Sequence, residues 1–60
     1  MGNKLENVLK AKGVSQAKLA EDVGVSQAFV SYMIKGYKQP SVTLLKRMAE
    51  YLGVTADELI

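Results

Sequence analysis

Between Gln16 and Lys38 the chain carries side chains suited to hydrogen bonding and charge pairing: Gln16, Gln27, Ser31, Tyr32, Lys35, Tyr37 and Lys38, with Ala28 among them. The amide of Gln27 donates and accepts side by side, so it can pair bidentately with an edge such as that of adenine. Ser31 can donate or accept, Tyr32 offers a flat ring and a hydroxyl, and Ala28 offers only a methyl. Lys35 and Lys38 are cations on flexible stems. Bond-breaking chemistry has no such candidates. The sequence contains no His and no Cys, which removes the usual general base, the thiolate nucleophile and the usual zinc ligands. Glu21 and Asp22 are adjacent, so on a helix they point to different faces, and no phosphate-cradling glycine loop occurs.

Two short elements must position these groups. Gln16 to Lys35 reads QAKLAEDVGVSQAFVSYMIK, with a break at Val23-Gly24-Val25. Ser15 caps a helix over Gln16 to Val23 whose Leu19, Ala20 and Val23 share a face. Ser26 caps another over Gln27 to Lys35, with Val30, Met33 and Ile34 on one face. At about 100° per residue, those three facing inward leave Ala28, Ser31, Tyr32 and Lys35 outward, with Gln27 at the leading edge. Phe29 falls on the flank and is expected to be partly buried, since an exposed phenylalanine without a partner is unfavourable. Ala20 is small where the two helices must cross, Gly24 sits where a helix ends and positive φ is commonly needed, and Val25 plugs the space between. Two helices joined by a tight glycine turn match a helix-turn-helix, whose second helix can enter a DNA major groove.

This stretch resembles the helix-turn-helix of the phage repressor and Cro-type (Xre-type) family. It carries that family's small residue, glycine and branched aliphatic as Ala20, Gly24 and Val30. The match continues through Lys35-Gly36, Pro40-Ser41, Thr43-Leu44-Leu45 and Leu52-Gly53-Val54 to Glu58-Leu59, and so spans about Leu5 to Ile60. The resemblance implies that Gln27, Ala28, Ser31 and Tyr32 face base edges, and that Gln16 binds a phosphate at the positive end of its helix. Lys35, the Tyr37 hydroxyl and Lys38 are placed to meet the phosphate backbone beside the groove, fixing register without reading sequence. In the family a residue at the position of Phe29 is more often small or polar, so this chain departs from the pattern there.

The remaining segments read as scaffold. A first helix runs from Lys4 to about Lys12, with Leu5, Val8 and Leu9 inward and Asn3 and Glu6 at capping-box spacing. Gly36 and Pro40 bound a loop. A fourth helix over Val42 to Leu52, capped by Ser41, turns Leu44, Leu45, Met48, Ala49 and Leu52 to the core, and Gly53 stops it. Thr55 then caps a short fifth helix carrying Asp57 and Glu58 near its positive end. The expectation is an all-α, lambda repressor-like bundle of five short helices, with the helix-turn-helix at the second and third. Residues 1–60 form a single domain; many family members continue past the position of Ile60, so an N-terminal domain of a longer chain also fits.

Composition narrows the classes further. Sixty residues bury a limited core and give marginal stability, on the order of a few kcal/mol. No apolar run approaches the roughly 18 residues of a membrane span. Met1 to Lys4 carries no signal core, and Glu6 stands where an acylation motif beginning at Gly2 needs Ser or Thr. Net charge is +2, but residues 1–47 hold all eight bases against Glu6, Glu21 and Asp22, while residues 48–60 hold Glu50, Asp57 and Glu58 and no base. One end should attract a polyanion and the other repel it.

The leading expectation is therefore a sequence-specific, double-stranded DNA-binding regulator, a repressor, acting as a homodimer on a two-fold operator in the cytoplasm of a bacterium or phage. It needs no cofactor and no metal. The alternative is a protein-interaction module, such as an antitoxin-like partner-binding domain, with Phe29, Tyr32 and Tyr37 as an aromatic patch.

Overall fold

In the computed structural model, which describes residues 3–60, each helix after the first starts on a serine and stops on a glycine. The order is α1 (Asn3–Lys12), α2 (Gln16–Val23), α3 (Gln27–Lys35) and α4 (Val42–Leu52), followed by a 3-10 turn (Ala56–Glu58). The described residues include no strand. Each serine oxygen accepts the backbone N–H three residues on: Ser15 from Lys18 at 3.0 Å, Ser26 from Phe29 at 3.1 Å and Ser41 from Leu44 at 3.1 Å. Those bonds satisfy donors that a helix start leaves open. The ranges of α2, α3 and α4 match the spans read from the sequence.

The fifth helix is not formed. Its segment is a three-residue 3-10 turn, so the described residues form four α-helices. Gly53 ends α4 with φ 70, and by residue 59 the chain must turn a leucine inward. Too few residues remain between for an i→i+4 ladder. The closing bonds are of i→i+3 type instead, Glu58 N–H to the Thr55 carbonyl at 3.1 Å and Leu59 N–H to the Ala56 carbonyl at 3.0 Å. The Glu58 carboxylate accepts the Thr55 N–H at 2.8 Å and fixes the entry to this turn.

The core is drawn from every element except the 3-10 turn itself, with Leu59 following it. Leu5, Leu19, Val30, Met33, Met48 and Leu59 are fully buried, and Leu9, Ala20, Val23, Ala49 and Leu52 nearly so. Val8, Val25, Phe29, Ile34, Leu44, Leu45 and Val54 pack against this cluster while remaining partly exposed. Helix α3 contributes its two innermost residues and packs on α1 and α2; α4 closes over α1 and α2. Burying apolar area at roughly 25 cal/mol per Å² makes this cluster the main force holding α3 in place. The readings made at Met1 and Gly2, and of the Asn3 side chain as a cap, lie outside the described part of the structure.

A convex candidate nucleic-acid interface on α3

The site begins with a reversal of the chain. Gly24 adopts φ 80, and a Cβ added there would meet nothing within 4 Å, so the left-handed backbone and not space selects glycine. Both Gly24 N–H and Val25 N–H donate to the Ala20 carbonyl at 3.0 Å, closing the end of α2. Two residues later Ser26 caps α3. The turn therefore delivers α3 across α2 with its start open to solvent.

On α3 the exposed residues are Gln27, Ala28, Tyr32 and Lys35, with Ser31 between them half-buried. They span about 140° of the helix surface. Opposite lie Val30 and Met33, both at 0% exposure. Phe29 is partly buried against the core, as its flank position implied. Ile34, read on the inward face with Val30 and Met33, does pack against the core. It is half-buried there, because its angular position adjoins that of Gln27 at the margin of the buried stripe. Nine residues make a rod about 13 Å long, and the roughly 10–12 Å diameter of a helix fits the width of a major groove, about 12 Å.

The loop after α3 continues this surface. Gly36, at φ 86, ends the helix, and the Tyr37 N–H donates to the Tyr32 carbonyl at 2.8 Å. The Tyr32 and Tyr37 rings come together with centroids 6.3 Å apart and planes tilted by 45°. Tyr37 is 74% exposed and Tyr32 43%. Lys35 and Lys38 are exposed on either side of Gly36 and Tyr37. Among the described residues the ion pairs are Glu6–Lys10 at 3.6 Å and Lys18–Asp22 at 3.4 Å, so neither lysine is neutralised by a carboxylate. Gln16 stands apart from the α3 set, half-buried in the first turn of α2, where Ser15 already takes the Lys18 N–H.

Sequence reasoning did not find the tie between α2 and α4. The Tyr51 hydroxyl, more than the nearby Lys18 ammonium, holds the Asp22 carboxyl below the ordinary carboxylate value. The Asp22 carboxylate in turn raises the Tyr51 hydroxyl above its usual value. Twenty-eight residues separate the two in the chain, so no local pattern could signal the pairing. A surface hollow of about 410 Å³ lined by Asp22, Val23, Arg47, Glu50 and Tyr51 lies beside it. A neighbouring one of about 280 Å³ is lined by residues of the turn and of α4 with its cap. Neither includes a residue of α3, whose exposed side is convex and suited to entering a groove. Among the described residues no group of acidic side chains is arranged to hold a metal ion. No described helix is long and apolar enough to cross a membrane.

A serine-capped pair of helices about a left-handed glycine, with one dry and one polar side on the second, defines a helix-turn-helix domain. The helix-turn-helix family matches residues 5–59, and the chain belongs to it. Among proteins similar to it is the uncharacterised HTH-type transcriptional regulator YazB of Bacillus subtilis strain 168, 29% identical over 58 residues, or 97% of this chain and 84% of that one. Another is the uncharacterised HTH-type transcriptional regulator y4dJ of Sinorhizobium fredii, 30% identical over 60 residues, or 100% and 78%. Two solved structures share the fold. The restriction-modification controller protein C.AhdI from Aeromonas hydrophila superposes with a TM-score of 0.89 at 29% identity, covering 98% of this chain and 89% of that one. SinR, a master regulator of biofilm formation solved in complex with DNA, superposes with a TM-score of 0.88 at 28% identity over 100% of both chains.

Proposed function

We propose that this protein is a sequence-specific, double-stranded DNA-binding transcriptional regulator of the Cro/Xre type, a repressor that reads an operator half-site with α3 in the major groove. The observation that carries the reading is the division of α3: Val30 and Met33 anchor it in the core while Gln27, Ala28, Ser31 and Tyr32 stand on the open side. Gln27 pairs with adenine, Ala28 meets a thymine methyl, Ser31 bonds a base or a phosphate, and Tyr32 packs on a base or sugar. Gln16, Lys35, the Tyr37 hydroxyl and Lys38 hold phosphates on the flanks. One such domain makes few base contacts, each worth roughly 1–3 kcal/mol, so useful specificity calls for a homodimer on a two-fold operator with half-sites about one helical turn apart. Residues 1–60 act as one domain in the cytoplasm, without cofactor or metal.

The test is a titration of operator-like and random duplexes at low and moderate salt. The reading expects tighter binding to the selected sequence, with log K falling as log salt rises by about 0.9 per phosphate neutralised. No binding at either salt, or binding indifferent to salt, rejects it. Reversing charge at Lys35 and Lys38 separates this from an antitoxin-like protein contact, which would survive the change.

A further inference from the structure

Helix α3 ends at Lys35, yet the residue two positions later returns over its last turn. The left-handed Gly36 makes this possible, and the Tyr32 carbonyl then accepts the Tyr37 N–H at 2.8 Å and the Lys38 N–H at 3.4 Å. The return sets the Tyr37 ring beside that of Tyr32, with centroids 6.3 Å apart and planes at 45°, inside the range of attractive tilted aromatic pairs. Neither ring belongs to the buried cluster or to the residues packed against it, and both are exposed. The pair therefore lies outside the packing that holds the fold together.

We infer that Tyr37 is a positioning residue for sequence recognition: its ring holds the Tyr32 ring in the orientation that meets DNA, separately from any contact its hydroxyl makes with a phosphate. The inference rests on the DNA-binding reading above. An exposed tyrosine on a helix turns among staggered rotamers, and a neighbouring ring removes some of them. Binding then has less side-chain freedom to freeze, and the contact made is directional. A ring that is ordered in advance discriminates between base pairs; a freely turning one adapts to several. The hydroxyl and the ring of Tyr37 thus have different consequences. A phosphate contact adds affinity to every sequence alike, whereas restraint of Tyr32 changes the ranking of sequences.

The experiment measures the affinities of the parent, Tyr37→Phe, Tyr37→Ala, Tyr32→Ala and the double variant Tyr32→Ala/Tyr37→Ala. The probes are the parent's selected duplex and all single base-pair changes within it. Tyr32→Ala identifies the positions that Tyr32 reads. Tyr37→Phe should weaken all duplexes by a similar factor and preserve their ranking. Tyr37→Ala should in addition shrink discrimination at the Tyr32 positions by about 3- to 10-fold, the coupling expected of an aromatic pair. In the Tyr32→Ala background it should leave the ranking unchanged. Tyr37→Leu, which keeps apolar bulk without a flat ring, repeats the test if the alanine variant melts early. An unaltered ranking in Tyr37→Ala, or independent effects of the two alanine changes on discrimination, overturns the inference while leaving DNA recognition standing. Failure of the parent to bind any duplex overturns both.

Discussion

The two sides of α3 are made from one nine-residue segment and do opposite work. Val30 and Met33, on the inner side, are sealed from water. Gln27, Ala28 and Tyr32, on the outer side, are exposed and lie outside the apolar cluster. The inner side fixes where the helix is; the outer side is free to specify what it meets. The difference teaches that stability and recognition should be separable within a single helix, residue by residue.

The largest effect should come from the inner side. Met33→Ala removes a fully buried side chain, and such truncations cost about 2–5 kcal/mol, comparable to the whole stability of so small a domain. Denaturant or thermal unfolding followed by circular dichroism should show a chain largely unfolded near room temperature. A Met33→Ala variant that melts like the parent would mean that the inner side is not what holds α3. Its counterpart on the outer side is Gln27→Ala. That change should lower affinity for the selected duplex by about 1–3 kcal/mol, chiefly at one A·T pair, with melting shifted by no more than about 0.5 kcal/mol.

The turn that presents α3 gives intermediate effects. Gly24→Ala should cost about 1–2 kcal/mol, because an L side chain is strained at φ 80 although open space surrounds it. Ser26→Ala removes the bond to Phe29 N–H and should cost about 1 kcal/mol. Both are read by denaturant midpoints, and both should weaken DNA binding only as far as the fold is lost. On the flank, Lys38→Gln should reduce affinity about equally for all sequences and lower the salt slope by about one.

The smallest effect concerns the tie on the far pair of helices. Asp22 is lowered from its ordinary 3.8, chiefly by the Tyr51 hydroxyl, so this contribution is present above that value and lost as pH falls through the lowered one. Tyr51 is raised from 10.0, so its contribution is present below pH 10 and lost as pH rises through the raised value. The melting difference between Tyr51→Phe and the parent should accordingly be widest near neutrality and close at both extremes. A difference independent of pH would show that the hydroxyl does not act on Asp22.

Much of this arrangement is legible in the chain because it is local. Ser15, Ser26 and Ser41 announce helix starts, Gly24, Gly36 and Gly53 announce stops, and apolar spacing fixes which way each helix faces. Phe29 on its flank followed from the same wheel. What was not legible depends on places far apart in sequence or on very short range. Asp22 meets Tyr51 only once α2 and α4 are packed. The last segment carries a cap and acidic residues like a helix, but Leu59 must reach the core too soon for more than a 3-10 turn. The Tyr32–Tyr37 contact needs a return that one left-handed glycine provides, and spacing along a straight helix gives no hint of it. Residue types name the chemistry of the outer side, yet they do not name the bases it meets.

The central claim is that the open side of α3, led by Gln27, reads base edges. It is tested most directly by selecting bound sequences from random duplexes with the parent and with Gln27→Ala side by side. The account predicts a defined consensus for the parent that loses information at a single A·T position in the variant and keeps it elsewhere. No consensus for the parent, or the same consensus from both proteins, would contradict it.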